Sequence, residues 1–182
     1  MTETIQHGQL GSQRLKRVVY EESLIRRRVA EMGREISEAY GPDDDLLILG
    51  LLKGSFIFIA DLVRQIQRPL QVDFIVASSY GSERVSSGEV KLVYDPEASI
   101  SGRNVILVED IVDSGKTMDR LIPLLLERGP ASLEICALLH KRLRRLEKEP
   151  RWVGFDAPEE FLVGYGLDYS EDFRHLPYIG SI

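Results

Sequence analysis

Three stretches of this chain are almost continuously apolar: residues 46–52, 104–109 and 133–139. Residues 104–109 read Asn-Val-Ile-Leu-Val-Glu, with no polar alternation through the middle. A strand of that kind cannot leave one face in water, so both faces must be covered. Between these runs lie segments of helical character. Residues 21–40 place Ile25, Val29, Met32, Ile36 and Tyr40 on one helical face, and Gly41-Pro42 ends it. Residues 55–66 form a second helix closed by Pro69, and residues 116–128 a third. Buried strands alternating with helices predict an α/β fold, a doubly wound and mainly parallel sheet. Residues 72–78 supply another buried strand, residues 90–94 a weaker one, and residues 153–155 and 161–165 two short ones. Residues 80–88 hold two glycines and three serines and predict a long mobile loop. In such sheets ligands bind beyond the carboxyl ends of the strands. That rule points to three loops: 53–55, 109–117 and 140–145.

Composition narrows the function classes. With 182 residues, the chain can bury roughly 70% of its unfolded surface and needs no metal or disulfide to hold a core. A net charge of −6 disfavours nucleic acid as the main partner. Cys136 is the single cysteine, which excludes an internal disulfide and fits a reducing compartment. No apolar run approaches the ~20 residues of a membrane span. Residues 1–14 are polar, lack a signal-peptide core and read as a flexible arm before a single domain at 15–182. The expectation is a cytoplasmic protein without membrane partners.

The chemistry concentrates in residues 105–117, Val-Ile-Leu-Val-Glu-Asp-Ile-Val-Asp-Ser-Gly-Lys-Thr. Its end looks like a P-loop, but that motif needs a glycine where this chain has Asp110. Glu109 and Asp110 are paired carboxylates at a strand end, able to accept hydrogen bonds from two neighbouring hydroxyls. Residues 113–117 turn a strand into a helix whose first amides favour a phosphate. Ser114 and Thr117 add hydroxyl donors, and Gly115 permits close approach or a positive φ. The pattern suits a phosphorylated sugar. A capped helix alone would not require the apolar Ile111 and Val112 inside the turn.

Residues 108–117 resemble the phosphoribosyl-pyrophosphate signature of the type I phosphoribosyltransferases, and the double-acidic start is typical of the hypoxanthine-guanine branch. Other stretches agree: Leu-Lys-Gly-Ser at 52–55, Ser79-Tyr80, Lys141, Trp-Val-Gly-Phe at 152–155, residues 163–169 and Phe173-Arg174. The resemblance implies that fold, with a small hood subdomain over the active site. It implies magnesium-dependent transfer of a 5-phosphoribosyl group from phosphoribosyl pyrophosphate to hypoxanthine or guanine, yielding IMP or GMP and pyrophosphate. Glu109 and Asp110 would hold the ribose hydroxyls. The amides of Ser114, Gly115, Lys116 and Thr117 would cradle the 5′-phosphate, and Asp113 would shuttle the purine proton. Lys53, Gly54 and Arg174 would contact pyrophosphate, at a loop where the family often uses a cis peptide. Lys141 would donate to the purine 6-oxo group and reject adenine. Trp152 would stack on the purine, and the Val153 carbonyl would accept a ring N–H. Asp168 would bind both purine and Mg²⁺, with Glu109 and Asp110 as further metal candidates. Ser79 and Tyr80 would open a mobile lid at 79–90, and residues 150–182 would carry the purine pocket. A homodimer or homotetramer is implied.

Two other readings share these residues: a nucleotide-sensing regulator of the same fold that binds nucleic acid, and a xanthine-preferring transferase. Lys141, Trp152, Asp168 and the negative charge favour the enzyme over the regulator. His7, His140 and His175 have no metal-like spacing, and Cys136 lies in an apolar strand as core. Asp43-Asp44-Asp45 reads as a solvated turn.

Overall fold

The computed structural model describes residues 15–79 and 90–182. Its elements run β1 (Arg17–Tyr20), α1 (Glu22–Ala39), β2 (Leu46–Leu52), α2 (Phe56–Val63), β3 (Leu70–Ser79), β4 (Val90–Tyr94), β5 (Asn104–Val112), α3 (Lys116–Leu126), β6 (Ser132–His140), β7 (Trp152–Asp156), β8 (Leu162–Val163) and β9 (Ile179–Ser181). Six strands form one sheet in the order β4-β3-β2-β5-β6-β7. Five are parallel to their neighbours, and only the edge strand β4 is antiparallel, against β3.

The continuous apolar strands are buried on two sides. In β2, Leu46 and Ile48 join a core with Ile25, Val29, Met32 and Ile36 of α1 and Phe58 and Leu62 of α2. The alternate residues Leu47, Leu49 and Leu51 join a second core with Met118, Leu121 and Leu125 of α3. Helices therefore cover both faces, as a doubly wound sheet requires. The period-two alternation of strand side chains decides which core each residue enters.

A second sheet, β1-β9-β8, is antiparallel throughout and joins the two ends of the described chain. Arg17 pairs with Ser181, and Leu162 with the same residue from the other side. Val163, Phe173 and Leu176 form a small core there. This is the hood of the resemblance. The strand expected over residues 161–165 is reduced to Leu162–Val163, because Gly164, Tyr165 and Gly166 take positive φ of 97°, 51° and 102° and turn the chain away. β5 extends past the expected residue 109 to Val112, so the acidic pair lies within the strand. α2 ends at Val63, earlier than the expected residue 66. The arm 1–14 and the loop 80–88 lie outside the described residues.

Candidate functional site

β2 connects through α2 to β3 on one side, and β5 returns to pair with β2 on the other. The strand order reverses there, which opens a crevice beyond the carboxyl ends of β2 and β5. Loop 53–55 and the end of β5 meet in that crevice. The Leu52–Lys53 peptide is cis, a point the sequence left open. Ser55 Oγ donates to the Leu51 carbonyl at 2.5 Å and closes the loop from below. Gly54 lies so near Asp110 that an added Cβ would stand 1.7 Å from Oδ2. The Gly54 carbonyl in turn lies against Gly166, where an added Cβ would be 2.1 Å away. Glycine is required at both contacts by space alone.

The turn after β5 is built for an anion. Gly115 takes a left-handed φ of 71°, with Leu146 directly beneath it. Arg144 Nε donates to the Ser114 carbonyl at 2.6 Å, and Arg144 Nη2 pairs with Asp119. Among the described residues, no side chain caps the start of α3, so its first amides remain open. They line a cavity of about 70 Å³ with Glu109, Asp113, Ser114 and Thr117. A helix N-terminus with unsatisfied N–H groups favours an anion.

Beside it sit the carboxylates. Asp110 Oδ1 accepts the Ile111 N–H at 2.9 Å. Glu109 Oε2 is buried and has no hydrogen-bond partner among the described residues. Burial, and then the neighbouring Asp110, push the Glu109 carboxyl well above its ordinary range. Burial also raises Asp110, against the opposing pull of the Ile111 N–H and Arg174. A buried polar atom left unsatisfied is open to a ligand's donor.

Cations face these acids from the hood side. Arg174 Nη1 donates to the Gly166 carbonyl at 2.8 Å, and Nη2 lies 2.8 Å from Asp168 Oδ1 and 3.3 Å from Glu171 Oε2. Arg174 Nε is buried without a partner among the described residues. Lys53 Nζ lies 3.2 Å from both carboxylate oxygens of Glu171. The Glu171 amide donates to Asp168 Oδ2 at 2.9 Å, which fixes the turn that carries all three residues.

Lys141 follows β6, and its backbone N–H donates to the Val112 carbonyl at 3.0 Å. Its ammonium reaches Asp113 Oδ1 at 3.4 Å, with the Lys141 side chain 12% exposed and Asp113 56% exposed. The lysine and the aspartate therefore meet at the mouth of the anion turn.

Two expected residues are elsewhere. Trp152 opens β7 opposite Cys136, whereas the sheet's carboxyl edge lies at His140 and Asp156. Four residues of strand place it about 13 Å from that edge. It is 5% exposed and packs in the core with Tyr40, its ring 6.2 Å away. The Val153 carbonyl already accepts Arg28 Nη2 of α1 at 2.9 Å. Neither residue serves a purine at the crevice; both fasten α1 to the edge strand. Ser79 ends β3, and Tyr80 lies outside the described residues.

Three contributions escaped the sequence reading. Arg144 was hidden in the charge run 141–145, whose place at a strand's carboxyl end was the available signal. Glu171 carried no signal, since its meeting with Lys53 is a contact between distant segments. Phe161 is an exposed large side chain in edge-to-face contact, centroids 5.7 Å apart, with Tyr169, which the stretch 163–169 already included. Exposed aromatics flanking an acidic turn were the signal.

Residues 19–170 match the family described as phosphoribosyl transferase domain. The chain belongs to that family. Within it, the chain falls in the hypoxanthine-guanine branch. It is 47% identical over 167 residues to the hypoxanthine phosphoribosyltransferase of Salmonella typhimurium, covering 91% of this chain and 94% of that one. The hypoxanthine-guanine phosphoribosyltransferase of Dictyostelium discoideum is 43% identical over 171 residues, with 92% and 95% covered. A crystal structure of a hypoxanthine phosphoribosyltransferase from Staphylococcus aureus superposes with a TM-score of 0.87 at 41% identity, covering 92% of this phosphoribosyltransferase and 91% of that chain. Among its described residues, no helix is long and apolar enough to cross a membrane.

Proposed function

We propose that this phosphoribosyltransferase moves the 5-phosphoribosyl group of phosphoribosyl pyrophosphate onto hypoxanthine, and onto guanine, with release of pyrophosphate. The observation that carries the reading is the Lys141–Asp113 pair at the mouth of an uncapped helix turn. It sets a proton acceptor and a 6-oxo donor beside a phosphate cradle. The bond from the anomeric carbon to pyrophosphate breaks, and a bond to a purine nitrogen forms. The pyrophosphate leaves with the electron pair. The transition state carries oxocarbenium-like charge at the sugar.

The turn 114–117 binds the 5′-phosphate through its amides and the Ser114 and Thr117 hydroxyls. Gly115 and Lys116 contribute backbone N–H groups. Glu109 and Asp110 accept hydrogen bonds from the two ribose hydroxyls and fix the ring. Asp113 takes the purine proton; such general-base help is worth roughly 10²–10⁴-fold. Lys141 donates to the 6-oxygen and would meet a donor in adenine. Lys53 Nζ, the Gly54 backbone and the Arg174 guanidinium receive the pyrophosphate as its charge grows. Phe161 and Tyr169, rather than Trp152, offer the exposed aromatic surface for the base. Backbone groups near Asp168 read the rest of the purine.

Mg²⁺ fits this donor set. The described residues hold no cluster of three or more His, Cys, Asp or Glu placed for a metal. Mg²⁺ needs only one or two carboxylates, with waters and substrate phosphates completing its shell. Asp168 is the residue to hold it, directly or through water, and the unpartnered Glu109 Oε2 supports the acidic pair as a further contact. When bound, the ion would neutralise charge on the departing pyrophosphate. We assign the enzyme to the cytoplasm, where its one thiol, the buried Cys136, stays reduced, and to a homo-oligomer. A radiolabelled-base assay with hypoxanthine, guanine, xanthine and adenine, with and without Mg²⁺, tests the reading. Nucleotide formed from adenine alone would overturn it.

A further inference from the structure

Glu171 belongs to no role above, yet it touches two of the three groups assigned to pyrophosphate. Both its carboxylate oxygens lie 3.2 Å from Lys53 Nζ, and Oε2 lies 3.3 Å from Arg174 Nη2. One carboxylate thus bridges two cations that come from distant segments, the loop after β2 and the segment before β9. Its placement is built. Ser170, Glu171 and Phe173 have positive φ of 52°, 67° and 71°, and the Glu171 amide is tied to Asp168 Oδ2. That compact turn brings the carboxylate within reach of Lys53 on loop 53–55, although the side chain stays exposed to solvent.

We propose that Glu171 is a placeholder for pyrophosphate: its carboxylate occupies Lys53 and Arg174 in the empty site and must be displaced when the diphosphate arrives. This rests on the assignment of Lys53 and Arg174 to pyrophosphate. The chemistry is an exchange of like for like, one anionic oxygen group against another on the same ammonium and guanidinium. It keeps two cations from repelling each other in the empty site. It also opposes product retention, because Glu171 competes for the same cations when pyrophosphate leaves. The Lys53–Glu171 pair is well exposed, at 67% and 66%, so its strength is modest and the exchange is easily reversible.

The test is a double-mutant cycle read by titration of magnesium pyrophosphate into wild type, Glu171→Gln, Lys53→Met and the double variant. Gln keeps the shape and loses the charge, at an exposed position where folding is not at stake. Removing the competitor should tighten pyrophosphate binding roughly two- to tenfold, the range of one or two exposed pairs. Most of that gain should vanish in the Lys53→Met background. Steady-state product inhibition by pyrophosphate should strengthen in parallel, and Glu171→Asp should fall between wild type and Gln. Weaker or unchanged binding in Glu171→Gln, with Lys53→Met still costing affinity, would overturn the placeholder and leave the pyrophosphate site standing. A gain of equal size with and without Lys53 would also overturn it, since that is a general charge effect. No loss on Lys53→Met would overturn the pyrophosphate assignment and the placeholder with it.

Discussion

Gly54→Ala removes no functional group, yet the structure predicts a severe defect. The new Cβ would stand 1.7 Å from Asp110 Oδ2 and 2.5 Å from its Cγ. Ordinary contact is above 3 Å, so one partner must move by more than about an ångström. Asp110 has little freedom, because its Oδ1 is held by the Ile111 N–H at 2.9 Å. Loop 53–55 cannot retreat either. Its carbonyl already abuts Gly166, and Ser55 is fastened to the Leu51 carbonyl. Overpacking of this kind costs about 1–3 kcal/mol of stability. At roughly 2–4 °C per kcal/mol for a chain of this size, Tm should fall by some 2–12 °C. Function should fall further than stability. A displacement of ~1 Å in a positioning group costs up to about 10²-fold, and Asp110 is a proposed ribose contact. The assay is kcat/KM for phosphoribosyl pyrophosphate alongside a thermal melt. A variant with wild-type kcat/KM and wild-type Tm would refute the argument that this contact is rigid.

Asp113→Asn should lower turnover by roughly 10²–10⁴-fold while donor binding changes little, measured by single-turnover kinetics against donor titration. Lys141→Ala should raise KM for hypoxanthine by about 1.5–3 kcal/mol in free-energy terms and relax discrimination against adenine, read from the ratio of the two bases. Glu109→Gln tests the buried acid. Its carboxyl is raised in the folded state, so above the ordinary glutamate value near 4.3 the unfolded chain ionises first and binds fewer protons. Stability of the free enzyme then falls as pH rises. Gln removes that slope, so melts across pH 5–8 should flatten and Tm at neutral pH should rise, while donor affinity drops.

The readable parts of this molecule were those written in contiguous residues. Residues 46–52 declare a buried strand because no polar residue interrupts them, and the strand occupies the same bounds. The stretch 109–117 carries acids, turn and helix start in one run, so its chemistry could be read in one pass. β1 and β9 could not be read. Each is three or four residues long, and each exists because its partner comes from the other end of the chain. The Lys53–Glu171 contact spans 118 positions for the same reason. Trp152 was misplaced for a different one. An aromatic in the right stretch looked like a stacking surface, but parallel strands all begin at the edge remote from the crevice. A residue that opens its strand cannot reach the site. The burial of Trp152 beside Tyr40 follows from that geometry.

The same geometry explains why the site's parts depend on one another. Lys141, Arg144 and Leu146 lie on one short loop, and they touch Asp113, the Ser114 carbonyl and Gly115 in turn. The purine-side lysine and the phosphate turn are therefore braced by a single segment. On the other side, Gly166 backs Gly54, which backs Asp110, while Arg174 spans from the Gly166 carbonyl to Asp168. Glu109 and Asp110 sit between the two braces. Adjacent carboxyls in a buried place repel each other and lose hydration, so nothing in folding favours them there. Rigid loops on either flank hold them in that position, and on the proposed role the stability lost would be recovered when ribose hydroxyls bind. On this argument, changes in the length of loop 141–150 or of segment 164–174 should damage donor binding even where no ligand contact is altered.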